Sequence, residues 1–218
     1  MKALLTGYEP IHVFKSNPSG EVAAELNERT VSGTNIVGSV LRNNFDTVGN
    51  RISELIDEHN PAIVICLGLG SKAKSITVER VAINKNDTTS VPDTNGNLPR
   101  NEAISANDSD AYFSTLPLTD IVSKLLDSGI PARISNSAGT HCCNNIFYSA
   151  REHLDKIDED VPCGFIHLPI TPEMAANEGQ RNYAASGGSV PASMPIDMQI
   201  DAVSKAIEIT ADHLHVPE

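Results

Sequence analysis

The run Ala62-Ile63-Val64-Ile65-Cys66-Leu67 carries only apolar side chains. A strand without polar–apolar alternation belongs where both of its faces are covered. Ala3 to Thr6, Ile36 to Leu41, Ala132 to Ser135 and Cys163 to Leu168 read as further strands, several nearly continuous in Val, Ile and Leu. Helical patterns lie between them. Ser19 is placed to cap one that runs through Val22, Ala23 and Leu26, and Phe45, Val48, Ile52, Leu55 and Ile56 form a stripe at helical spacing. Thr119 to Leu126 gives a third helix, ended by Gly129 and Pro131. Cys143 to Leu154 and Met198 to Leu214 give two more. The alternation predicts a three-layer α/β/α sandwich with a mainly parallel, mixed central sheet, as a single domain over residues 1–218.

A chain of 218 residues buries roughly 70–75% of its unfolded surface in one domain. Tryptophan is absent and aromatics make up 4%, so aliphatic side chains must build the core. The net charge of -12 excludes a nonspecific grip on nucleic acid or on an anionic membrane. No stretch approaches the ~20 apolar residues that cross a bilayer, and the run from Met1 is too short for a signal peptide. Four cysteines in a chain this long read as free thiols, which makes a reducing cytoplasm the expected location. Two segments interrupt the pattern: Asn84 to Ser109, rich in Asn, Asp, Thr and Ser, and a loop from Asn177 to Pro195, rich in Gly, Ala and Ser. Loops of that length in a domain are commonly functional.

Three segments hold candidate chemistry. In Ser135-Asn136-Ser137-Ala138-Gly139-Thr140-His141-Cys142-Cys143-Asn144 a strand ends, small residues turn, and a helix opens at the second cysteine. A thiol at a helix N-terminus is favoured as thiolate, and the free N–H groups there can hold an oxyanion. A buried cysteine at a helix start fits the same pattern. Gly164-Phe165-Ile166-His167-Leu168-Pro169 places a histidine at the carboxyl end of a strand, where sites form in open α/β sheets, although a satisfied structural histidine fits too. Thr77-Val78-Glu79-Arg80-Val81-Ala82-Ile83-Asn84 embeds a charged pair in a strand-like run, ordinarily a solvated edge. Together the three segments supply a thiolate, a base and an orienting carboxylate. The adjacent Cys142 and Cys143 lack the spacing of a zinc site, so no metal and no cofactor is expected. Gly68-Leu69-Gly70-Ser71-Lys72 lacks the spacing of a phosphate loop.

These segments resemble the pyroglutamyl peptidase family of cysteine peptidases along nearly the whole chain. Thr6-Gly7-Tyr8-Glu9-Pro10 with Asn17-Pro18-Ser19, the Glu79 segment, Ala111-Tyr112-Phe113-Ser114-Thr115-Leu116-Pro117, Ser135 to Asn144 and Gly164 to His167 stand in the family's order. The resemblance implies Cys143 as nucleophile, His167 as general base and Glu79 as its orienting carboxylate. It also implies a cytosolic, metal-free homo-oligomer, tetramer or dimer. The implied substrates are small peptides with an N-terminal pyroglutamate, bound by Tyr8, Ile11, Phe14, Asn17 and Leu69.

Departures concentrate at the substrate. The family's two ring-sandwiching phenylalanines fall on Tyr8 and Ile11, and its glycines on His12 and Val13. Leu69-Gly70-Ser71 differs from the usual lactam-binding form, and Asn86 to Pro92 lacks the arginine expected near the oxyanion. A related cysteine amidohydrolase of shifted selectivity, or a catalytically impaired binding homologue, are the alternatives these changes leave.

Overall fold

The apolar runs form the interior of one sheet in the computed structural model, which describes residues 1–11, 14–106, 108–183 and 190–215, with the backbone alone for 180–183. His12 and Val13 therefore lie outside the described residues. In chain order the elements are β1 (Lys2–Tyr8), α1 (Pro18–Leu26), β2 (Thr30–Val31), β3 (Thr34–Leu41), α2 (Val48–His59), β4 (Ile63–Leu69), β5 (Ile76–Glu79) and β6 (Val81–Ile83). They continue as β7 (Ala111–Phe113), α3 (Leu118–Asp127), β8 (Ala132–Ser135), α4 (Cys142–Lys156), β9 (Cys163–Leu168), α5 (Pro172–Tyr183) and α6 (Ile196–His215). The main sheet has the order β2-β3-β1-β4-β9-β5-β8. β3, β1, β4 and β9 run parallel, while β2 and the β5–β8 pair run against their neighbours. The expected mainly parallel, mixed sheet is what forms.

Side chains alternate across this sheet, as a pleated strand requires. Ala3, Leu5, Ile63, Ile65, Leu67, Ile76, Val78, Ile166 and Leu168 pack toward α1, α3 and α6. Leu4, Tyr8, Val64, Cys66, Cys163 and Phe165 pack toward α2 and α4. Helices therefore cover both faces, and the two apolar clusters are the two interlayer cores. Helix α2 buries Val48, Ile52, Leu55 and Ile56, each worth about 1.5–3 kcal/mol relative to exposure. It stops at Asn60, whose left-handed backbone (φ 44°) turns the chain out before Pro61.

Local chemistry moved several boundaries. Asn17, not Ser19, caps α1: its Oδ1 accepts from Ser19 N at 3.1 Å and Ser19 Oγ at 2.8 Å. Phe45 precedes α2 rather than opening it, and α4 begins at Cys142, one residue before the predicted start. The strand-like run Thr77 to Asn84 breaks at Arg80. Its first half joins the main sheet as β5, and its second forms a two-stranded ribbon with β7. The expected loop from Asn177 is helical at its start, since α5 continues to Tyr183; Thr171 Oγ1 accepts from Met174 N in its first turn.

Candidate active site

Glu79 and His167 are brought together by sheet register. The antiparallel pairing sets Thr77 opposite His167 and Glu79 opposite Phe165, so Glu79 and His167 are diagonal neighbours on the α4 side of the sheet. His167 Nδ1 donates to Glu79 Oε1 at 2.8 Å. Glu79 is buried, with 2% of its surface exposed. The charged pair expected at a solvated edge is thus split between a buried carboxyl group and an exposed Arg80. Phe165 supports the imidazole from beside it, with ring centroids 4.7 Å apart.

Helix α4 supplies the thiol. Gly139, at φ +80°, makes the turn before it, a conformation other residues rarely adopt. The first turn then uses the His141 carbonyl to accept from the N–H groups of Asn144 and Asn145 at 2.9 and 3.1 Å. Asn144 locks the helix start to β6: its Nδ2 donates to Ile83 O and Lys85 O, and its Oδ1 accepts from Ile83 N. The Cys143 sulfur lies close against β4, so a Cβ on Gly68 would sit 2.7 Å from Sγ and 2.6 Å from the Phe165 ring. The thiol needs that missing methyl.

Electrostatics separate the four cysteines. Burial pushes the Cys66 thiol up to about 12. Burial, and then the negative charge of Cys143, push Cys142 well up, and burial does the same to Cys163. Cys143 alone of the four is not fully buried, and it lines a cavity. His167 also hydrogen-bonds the Cys143 side chain; with Nδ1 engaged by Glu79, Nε2 is the nitrogen left to face it. Burial opposes charge on this imidazole. The charge and hydrogen bond of Cys143, then those of Glu79, outweigh it and carry the His167 pKa up to about 9. Iodoacetamide is accordingly expected to label Cys143 first, read by peptide mass mapping. Faster labelling of Cys66 or Cys163 would contradict the assignment.

The cavity encloses about 670 Å³ and is lined by Cys143 and His167 together with Tyr8, Ile11, Phe14, Asn17 and Leu69. All five expected substrate residues reach it, but with different freedom. Phe14 and Leu69 pack on Ile170, Met174 and Ala175. Asn17 is occupied by the α1 cap and by donation from Nδ2 to Glu9 O at 3.0 Å. Tyr8 is 1% exposed, and its hydroxyl donates to Cys142 O at 2.9 Å.

The opposite wall was not assigned by residue from the sequence. It comes from the long polar segment, at Asp87, Thr88 and Ser90 to Pro92, and from Asn43 and His141. Its hydrogen bonds explain why a segment of such composition holds a shape. Thr140 Oγ1 donates to Asp87 O at 2.6 Å, and His141 Nε2 donates to Val91 O at 3.0 Å. Asp93 accepts from the N–H groups of Phe45, Asn95 and Asn97. Burial would raise the Asp93 carboxyl, but these bonds hold it below its usual range. Asn43 Oδ1 is buried with no hydrogen-bond partner among the described residues, and nothing in the sequence marked it. No lysine or arginine is among the described cavity residues. Among the described residues no group of three or more His, Cys, Asp or Glu side chains is placed to hold a metal ion. No described helix is long and apolar enough to cross a membrane.

The pattern that defines the pyroglutamyl peptidase family matches residues 1–213. A pyrrolidone-carboxylate peptidase of Bacillus cereus is 40% identical over 184 residues, which cover 84% of this chain and 85% of that one. One from Bacillus mycoides is 35% identical over 206 residues, covering 92% and 95%. The crystal structure of pyrrolidone carboxyl peptidase from the hyperthermophile Pyrococcus furiosus superposes with a TM-score of 0.92 at 36% identity, covering 98% of this chain and 100% of that one. On the fold, the site and these likenesses, the chain belongs to the pyroglutamyl peptidase family of cysteine peptidases.

Proposed function

We propose that this chain, as one catalytic domain over residues 1–218, hydrolyses the amide bond after an N-terminal pyroglutamate through Cys143, His167 and Glu79. The observation that carries the reading is the 2.8 Å bond from His167 to Glu79, with the same imidazole bonded to Cys143, the one cysteine among the described cavity residues. The Cys143 thiolate attacks the pyroglutamyl carbonyl, and the oxyanion forms at the N-terminus of α4. Collapse gives a thioester, while His167 delivers its proton to the leaving amine. Water, deprotonated by His167, then releases pyroglutamate. Glu79 fixes the tautomer and stabilises the imidazolium.

No protein charge from lysine or arginine faces this oxyanion among the described cavity residues. Loss of one oxyanion donor lowers kcat by about 10²–10³, so the enzyme is expected to be slower than one that has such a donor. Ile11 in the pocket favours a second reading, a cysteine amidohydrolase of shifted acyl selectivity. Steady-state hydrolysis of pyroglutamyl, alanyl and prolyl reporter amides tests both. Pyroglutamyl preference is expected; preference for another acyl group would sink the first reading.

The pH profile carries its own expectation. His167, raised to about 9, holds its proton at neutrality and loses it as pH rises through about 9. kcat/KM on the pyroglutamyl reporter should therefore fall on the alkaline side near pH 9. A fall near the ordinary histidine value of ~6.5 would show that the pair is not coupled. Four free cysteines among the described residues support a reducing cytoplasm as its setting. Phe113, 65% exposed on the β6–β7 ribbon, supports self-association as dimer or tetramer, which sedimentation would read.

A further inference from the structure

We propose that the Tyr8 hydroxyl is a positioning group for the oxyanion: its bond to the Cys142 carbonyl fixes the Cys142–Cys143 peptide so that the Cys143 N–H faces the carbonyl under attack. The inference rests on Cys143 being the nucleophile, and it assigns Tyr8 a task other than covering a lactam face.

A trans peptide is planar, with its C=O and N–H pointing in opposite directions. Holding the Cys142 oxygen therefore aims the Cys143 hydrogen. Tyr8 O–H donates to that oxygen at 2.9 Å from a fully buried position at the end of β1. A carbonyl that accepts such a bond is polarised, and its own N–H becomes a better donor. Cys143 is the second residue of α4, where an N–H has no partner within the helix. No described group accepts from it, since the His141 carbonyl takes the N–H groups of Asn144 and Asn145 instead. The donor is free for an oxyanion beside the attacking sulfur.

Tyr8 also stays a donor across the working range. Burial first, and then the charge of Cys143, raise its phenol well above the usual value. With no lysine or arginine among the described cavity residues, no cationic side chain from them shares the stabilisation, and the orientation of this donor matters more.

Tyr8→Phe keeps the ring and removes only the hydroxyl. One hydrogen bond lost is expected to lower kcat on a pyroglutamyl amide by about 2- to 13-fold, with KM unchanged. The aldehyde analogue of pyroglutamate gives a separate readout. Addition of the Cys143 S–H across its C=O forms a thiohemiacetal whose oxygen occupies the oxyanion position. Its inhibition constant should weaken by the same factor, while inhibition by pyroglutamate itself stays at the wild-type value. A folded Tyr8→Phe enzyme with wild-type kcat and aldehyde affinity overturns the proposal. So does a raised KM at constant kcat, which would make Tyr8 a wall of the ring pocket. If Tyr8→Phe fails to fold, 3-fluorotyrosine placed at position 8, a stronger donor of the same shape, should raise kcat; no change overturns the proposal. If the wild-type enzyme prefers another acyl group, the pyroglutamyl reading fails and the same kcat comparison is made on that group, so the two failures stay distinct.

Discussion

Cys143→Ser is expected to lower kcat by about 10⁴–10⁶, the scale on which removal of a nucleophile leaves only binding and oxyanion stabilisation. The serine hydroxyl lacks an accessible anionic form, and His167 is set to share a proton with sulfur. Cys142→Ser is expected to behave oppositely. Its side chain is fully buried, so a hydroxyl there should lower Tm, yet turnover should stay close to wild type. Paired steady-state assays and thermal melts separate the two. Equal loss of turnover from both variants, each correctly folded, would move the nucleophile.

Glu79→Gln is expected to lower kcat by roughly 10³–10⁴, as replacing the triad acid by its amide does elsewhere. The side chain keeps its shape, so Tm should report a folded protein. What changes is the charge behind His167. Without it, burial is opposed by Cys143 alone, and the alkaline limb of kcat/KM should move below the wild-type position near pH 9. An unchanged limb, or a kcat within tenfold of wild type, would mean that Glu79 is merely a buried partner of the imidazole.

The strands were legible because continuous Val, Ile and Leu runs such as Ile63 to Leu67 have no other use in a chain of this length. Cys143 and His167 were legible for a related reason. Each sits where an element begins or ends, at a place the local pattern marks. Glu79 was harder, since a Glu-Arg pair ordinarily means solvent. Only the change of direction at Arg80, which the sequence does not display, buries one and exposes the other. The cap moved from Ser19 to Asn17 because both residues can cap, and Pro18 fits the first helical position. Nothing local could have shown that Val91 meets His141, or that Asn43 lines the cavity. Those contacts exist because the polar segment folds back across the nucleophile turn.

Because β5 runs against β9, the distance between Glu79 and His167 is gauged by main-chain hydrogen bonds rather than by the fit of side chains. Part of the cavity wall hangs instead on connections outside the sheet, at Ile11, Phe14 and residues 87–92. Those connections can change length without shifting the β5–β9 register that sets Glu79 against His167. The same gauge sets a strict limit. Sliding β5 by one residue would turn Glu79 to the far face and bring Val78 or Arg80 beside the imidazole. A single inserted residue inside Ile76–Glu79 should therefore silence an enzyme that tolerates several in the cavity's rim.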